Sequence, residues 1–195
     1  ERGYYITRIG PNGPERPRFQ DIGIDPPDGW TTNCCAHACF SPDGNTYVSG
    51  SRWRGVRVFD FDRCDGRLSN PRYIPLDRDS SSVVGVAISP NNRWLYVALG
   101  LSIFQYDLQS KDIATSGIKV AQYDGHTAPL WTTFYQMVLT PNDRIVVSST
   151  NTVYEFTQII NPDDRGPACN VQQHSLTLKT IAQQQLPNFP NFRAG

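Results

Sequence analysis

The sequence predicts an all-β fold: a β-propeller or partial propeller, with about three full four-stranded blades plus a half blade at the N-terminus. Three observations carry that expectation. An apolar strand followed by a Ser/Thr-Pro-Asp/Asn-Gly/Asn/Asp turn occurs three times, as Ser41-Pro42-Asp43-Gly44, Ser89-Pro90-Asn91-Asn92 and Thr140-Pro141-Asn142-Asp143. The prolines of these turns lie 48 and 51 residues apart, a period that suits a four-stranded blade and is too long for leucine-rich or ankyrin repeats. No copy carries a helical i, i+3, i+4 apolar stripe, so an alternation of strands with helices is excluded.

The elements follow in order. Tyr4 to Ile9 reads as a third strand and Arg18 to Ile24 as a fourth, with no hairpin turn ahead of them, so residues 3–26 are expected to be the outer half of a blade. The first full blade, 34–79, opens with Ala36 to Phe40. Its turn folds back because proline sets φ at the first central position and Asp, Asn or Gly tolerates the geometry that follows. Thr46 to Ser49 then supplies a second strand and Val56 to Phe61 a third, with apolar and polar residues alternating at period two. Arg72 to Leu76 is the fourth-strand candidate, since Pro75 cannot donate to a ladder and suits an edge.

The second blade, 83–125, repeats the plan with Val84 to Ile88, Trp94 to Ala98, Ile103 to Asp107 and Ile118 to Tyr123. The third, 133–160, has Tyr135 to Leu139, Ile145 to Ser148 and Val153 to Phe156. Beyond it, 161–195 is expected to be an irregular tail, an ordered loop or linker rich in Pro, Gly and Gln. The single domain spans 1–195. The inner strands missing from its opening half blade must come from this tail, from another chain or from sequence outside it, because closed propellers remove their exposed edges.

Composition limits the function. Over 195 residues, 18 Lys and Arg balance 18 Asp and Glu, and the basic residues are scattered, so neither nucleic acid nor an anionic membrane is an expected partner. The longest apolar run, Val83 to Ile88, is far short of the roughly 20 residues that span a bilayer, and the first residues lack a signal-peptide pattern, so a soluble, mature or truncated chain is expected. At 11% aromatic and 18% charged, the chain has ample material for a core.

Several segments together resemble a family: Cys39-Phe40-Ser41-Pro42-Asp43-Gly44, Phe59-Asp60-Phe61-Asp62-Arg63-Cys64, Leu139-Thr140-Pro141-Asn142-Asp143, and the ending Ile160-Asn161-Pro162-Asp163, Ala168-Cys169-Asn170 and Leu186-Pro187-Asn188-Phe189. They are similar to the propeller region of large secreted bacterial surface proteins of the type IX secretion, gliding-motility-associated kind. The Ser-Pro-Asp-Gly turn by itself is shared with many propellers, lactonase-like ones included. The resemblance implies an extracellular, cell-surface location and a display or adhesion role, and it supplies no catalytic residues. Full-length members carry a signal peptide and a sorting domain that this chain lacks, which fits an excised piece.

Five cysteines, Cys34, Cys35, Cys39, Cys64 and Cys169, are an odd number, so at least one is free or pairs outside the chain. Cys39 and Cys64 fall in one repeat and are the candidate disulfide, with Cys34 or Cys35 able to replace Cys39. A rival use is zinc, because Cys35, His37 and Cys39 alternate on one face of a strand, although no fourth ligand is identifiable. Asp60, Asp62 and Asp65 hint at calcium, but the spacing places Cys64 where an oxygen ligand belongs, and a solvated hairpin turn is the simpler reading. Gly-x-Ser-x-Gly is absent. His126 in Asp124-Gly125-His126 reads as a turn residue, and His174 has no nameable partner.

Trp53, Trp131 and Phe134, with Tyr135, fall near strand ends or blade connections and form the candidate contact surface, unless they wedge between blades. These features predict a non-enzymatic module without catalytic residues, cofactor or metal, presenting loops to a protein or glycan at the cell surface. The alternatives are a lactonase-like or metal-assisted hydrolase using His37 and Gln136 near the axis, and a structural subunit whose open blade is completed by another chain.

Overall fold

A computed structural model of the chain describes residues 3–23, 37–51, 55–75, 85–183 and 186. These residues form three four-stranded antiparallel sheets, each meandering in chain order, preceded by two small two-stranded sheets. The first blade is β5 (Ala38–Phe40), β6 (Thr46–Ser51), β7 (Gly55–Asp62) and β8 (Arg67–Ile74). The second is β9 (Gly85–Ile88), β10 (Trp94–Ala98), β11 (Ser102–Asp107) and β12 (Ile118–Gln122). The third is β13 (Met137–Leu139), β14 (Ile145–Val147), β15 (Thr152–Ile159) and β16 (Val171–Gln183). At the N-terminus β1 (Gly3–Ile6) pairs with β4 (Arg18–Asp21), the half blade expected from the sequence. A minimal hairpin of β2 (Ile9–Gly10) and β3 (Gly13–Pro14) joins them.

The repeated turn has a specific side-chain cause. Ser41 Oγ donates to Asp43 Oδ1 at 2.5 Å and accepts the Thr46 amide at 2.9 Å. In the second copy Ser89 Oγ bonds Asn91 Oδ1 at 2.7 Å and accepts the Trp94 amide at 2.9 Å, and Thr140 Oγ1 reaches Asn142 Oδ1 at 2.5 Å in the third. Position four of the turn is left-handed each time, with φ of 74° at Gly44, 61° at Asn92 and 62° at Asp143. Gly, Asn and Asp are the residues that reach this region at least cost, which is why the fourth position varies only among them.

Adjacent sheets pack face to face. Val48, Val56, Val58 and Ile74 of the first blade meet Val86, Ile88, Leu95 and Val97 of the second in one core. The opposite face of the second blade, with Ala87, Tyr96, Ala98 and Ile103, meets Phe134, Met137, Ile145, Val147 and Ile159 of the third. Inner strands converge: β9 touches both β5 and β13. The approach is so close that a Cβ on Gly85 would lie 2.1 Å from the Tyr135 carbonyl oxygen. Strands buried on both faces and inner edges drawn together are what radial stacking of blades requires.

Polar groups tie the same seams. The Asp43 amide donates to Asn92 Oδ1 at 3.0 Å, and the Asn91 amide to Asp163 Oδ1 at 2.9 Å, so the first and second turns are each clasped by the next blade. Buried Gln105 donates to the Tyr96 hydroxyl at 2.7 Å and accepts the Gly166 amide at 2.7 Å, and Tyr96 donates to the Pro162 carbonyl at 2.9 Å. The loop between β15 and β16 thereby caps the second blade, with a 3-10 turn at Gly166–Cys169.

Two sequence expectations are corrected. Residues 171–183 are not tail: they form the 13-residue outer strand of the third blade. Leu176 and Leu178 pack against Val146, Val153 and Phe156, while the alternating Ser175, Thr177 and Lys179 are exposed, and one wet face explains the polar composition. The fourth strand of the first blade begins at Arg67 rather than Arg72 and ends before Pro75. Its internal proline is Pro71, beside Asn70 at φ 48°, where the register with β7 shifts; an edge strand tolerates both.

Candidate functional site

The connection from β12 to β13 carries most of the candidate chemistry. Asp124 Oδ1 accepts the His126 amide at 3.0 Å, the local turn expected from Asp124-Gly125-His126, with Gly125 at φ 91°. The connection is then fastened to the third blade. Thr127 bridges Trp131, Pro129 bridges Val153, and the Tyr154 amide donates to the Ala128 carbonyl at 2.7 Å. The Trp131 carbonyl accepts from Asn151 Nδ2 at 2.8 Å and from Ser149 Oγ at 3.0 Å. The residue nevertheless stays 65% exposed, flanked in sequence by Leu130 at 50%. The backbone is pinned and the ring is offered to solvent.

His174 arrives from the other side. Its φ of 57° places it in the left-handed region, where β16 carries extra residues opposite the Phe156–Gln158 step of β15. This bulge aims the imidazole at the connection. His174 Nε2 lies 2.8 Å from Asp124 Oδ2, its Nδ1 lies 3.3 Å from Thr132 Oγ1, and its ring centroid is 4.0 Å from that of His126. His126 Nε2 in turn lies 2.8 Å from Glu155 Oε2 on β15. Burial pushes the Asp124 carboxyl up, but the His174 and His126 hydrogen bonds outweigh it and hold the group below the usual carboxylate range. One ligand atom from each of His126, Glu155 and His174 falls within 4.8 Å of the others, a separation that could hold a metal ion.

Other sequence candidates are placed differently. Trp53, Cys34 and Cys35 lie outside the described residues. Phe134 is no contact residue: it is fully buried in the core between the second and third blades, wedged there by its amide bond to the Gly100 carbonyl at 2.8 Å. Cys39 and Cys64 are free thiols rather than a disulfide. Cys39 is level with Val48 and Val58, whereas Cys64 lies in the exposed turn beyond Asp62. That offset, roughly 13 Å along the strand at about 3.3 Å per residue, far exceeds the roughly 7 Å a disulfide tolerates between Cα atoms. Burial against the first core pushes the Cys39 thiol up to about 12.

His37 Nδ1 accepts the Val86 amide at 3.0 Å and so joins two blades, which occupies a lone pair that zinc on Cys35, His37 and Cys39 would need. Gln136 Oε1 accepts the Leu186 amide at 3.2 Å. The pair named for axial hydrolysis is thus occupied in structural bonds. Asp60 pairs with Arg72 at 2.9 Å, Asp62 Oδ1 accepts the Cys64 amide at 2.8 Å and Asp65 Oδ1 the Arg67 amide at 3.0 Å, so the acidic trio closes a hairpin. The sequence marked the Asp124–His126 turn but not its encounter with His174, which depends on a bulge no local pattern announces.

A family model for the WD domain, G-beta repeat matches residues 27–60, a stretch that holds β5, β6 and most of β7. No curated protein matches the chain. Among solved structures, a "putative 6-phosphogluconolactonase" from Bacteroides uniformis is similar at 17% identity and a TM-score of 0.61, covering 92% of this chain and 50% of that one. A protein from Lactobacillus plantarum is similar at 15% identity and a TM-score of 0.57, covering 94% of this chain and 50% of that one. The fold is that of a partial β-propeller. The chain spans about half the length of these structural neighbours, and at this identity the likeness extends to architecture alone. Among the described residues no helix is long and apolar enough to cross a membrane.

Proposed function

We propose that the chain is a non-enzymatic, extracellular binding module that presents the β12–β13 connection to a protein or glycan partner at a bacterial cell surface. The observation that carries this reading is Trp131: a residue 65% exposed, on a backbone held by two side-chain donors and a β-bridge to Thr127. An aromatic platform that is already ordered loses little entropy on binding. Asp124, His126 and Glu155 belong to the same connection or the strand it pairs with, and they add polar groups to this part of the surface. That mixture favours a glycan, whose hydroxyls need acceptors and whose ring faces need a flat surface.

A glycan array probed with the purified chain tests the reading. Binding to a defined set of oligosaccharides, lost by at least about tenfold in Trp131→Ala with thermal stability unchanged, is expected. Absence of binding to every glycan and to candidate surface proteins, or equal binding by the variant, defeats it. A second reading, lactonase-like hydrolysis, draws on the His126–Glu155 contact of 2.8 Å and on the printed name of the Bacteroides neighbour. Turnover of 6-phosphogluconolactone by the purified chain, abolished in Glu155→Gln, would decide for it.

A further inference from the structure

We propose that His126, Glu155 and His174 form a divalent-metal site, with zinc as its best-suited ion, at the seam between the β12–β13 connection and the outer strands of the third blade. The inference does not depend on what docks at Trp131. Two imidazole nitrogens and one carboxylate oxygen within 4.8 Å of one another are a three-ligand set that leaves a fourth position open. The set has no thiolate and a single carboxylate, which favours zinc over the hard cations calcium and magnesium.

Three independent segments hold the ligands. His126 is fixed by the Asp124 turn, and its carbonyl accepts the Thr132 amide at 3.2 Å and the Thr132 hydroxyl at 3.1 Å. Glu155 sits within an eight-residue strand. His174 sits in a bulge of β16 with φ of 57°, in the left-handed region.

The outer shell supports the assignment. Asp124 Oδ2 lies 2.8 Å from His174 Nε2 and a carboxylate oxygen accepts, so Nε2 carries the proton. The ring's lone pair is therefore on Nδ1. A carboxylate holding one nitrogen of a histidine so that the other can ligate is the usual outer-shell arrangement of metal sites. Between His126 Nε2 and Glu155 Oε2 a proton now bridges 2.8 Å. An ion at about 2.0–2.2 Å from each atom takes the place of that proton with a small rotation of either side chain. Side-chain exposures of 43% for His126, 25% for Glu155 and 20% for His174 leave the open position accessible to water or to an incoming ligand.

Titration calorimetry of the purified, metal-free chain with Zn²⁺ tests this, alongside Co²⁺ absorption spectroscopy. One ion per chain is expected, with affinity falling more than about 100-fold in His126→Ala, His174→Ala and Glu155→Gln, and about 10- to 100-fold in Asp124→Asn. The Co²⁺ adduct is expected to show visible ligand-field bands without the near-ultraviolet charge transfer of a thiolate. Should His174→Ala fail to fold, the nearly isosteric Glu155→Gln still decides the matter. No binding, binding that survives Glu155→Gln, or a thiolate band pointing to the cysteines overturns the proposal.

Discussion

The second blade and the N-terminal two-stranded sheet are built from similar residues and meet opposite fates. Every residue of β9 and β10 is buried, because the first blade covers one face and the third covers the other. In the N-terminal sheet, Tyr4 packs edge-on against Phe59 with centroids 5.3 Å apart, while Tyr5 and Phe19 on the opposite face remain 77% and 60% exposed. Aromatic strand residues therefore do not bury themselves. Burial is conferred by the neighbouring sheet, and each sheet's stability belongs to its interfaces as much as to its own hydrogen bonds.

The largest expected effect contrasts these two regions directly. Leu95→Ala empties a fully buried position between the first two blades and is expected to cost about 2–5 kcal/mol, whereas Phe19→Ala on the open face is expected to stay within about 0.5 kcal/mol. Urea unfolding of both variants checks this, and equal losses would refute the contrast. Gly85→Ala comes next. The added methyl meets the Tyr135 carbonyl where inner strands converge, so a loss of about 1–3 kcal/mol is expected, readable in the same denaturation experiment.

The smallest effect is one of pH. Burial pulls the His37 imidazole below its usual value, while the bond from the Val86 amide acts less strongly the other way. A depressed folded value means the unfolded chain takes up the proton first. The contribution is therefore complete above the unfolded value of about 6.5 and is lost as pH falls through the folded one. The thermal midpoint is expected to be lower at pH 5 than at pH 7, and the gap to narrow in His37→Gln; an unchanged gap would show that the burial of His37 does not carry it.

What the sequence made legible was local. The three turns, the strands flanking them and the opening half blade could be read because Ser/Thr-Pro chemistry and period-two alternation are written within a few residues. The outer strand 171–183 escaped because its half-buried leucines alternate with Ser, Thr and Lys on a solvated edge, and two irregular steps in its register hide the period. Phe134 was left between contact and wedge, and it is the wedge that holds; an aromatic residue beside a blade connection looks the same in sequence whether it faces water or a neighbouring sheet. At the candidate site Trp131 was named among the contact candidates, with wedging between blades as the alternative, and it is exposed. The company kept by His126 and His174 was not foreseen, since 48 residues and an extruded backbone separate them.

The row of clasped turns gives assembly a direction. The Asp43 amide waits for Asn92 and the Asn91 amide waits for Asp163, so along this row every earlier repeat is finished by chain that is made later. The turns at Asp43 and Asn91 can therefore be completed only once the repeat that follows each of them has been synthesised.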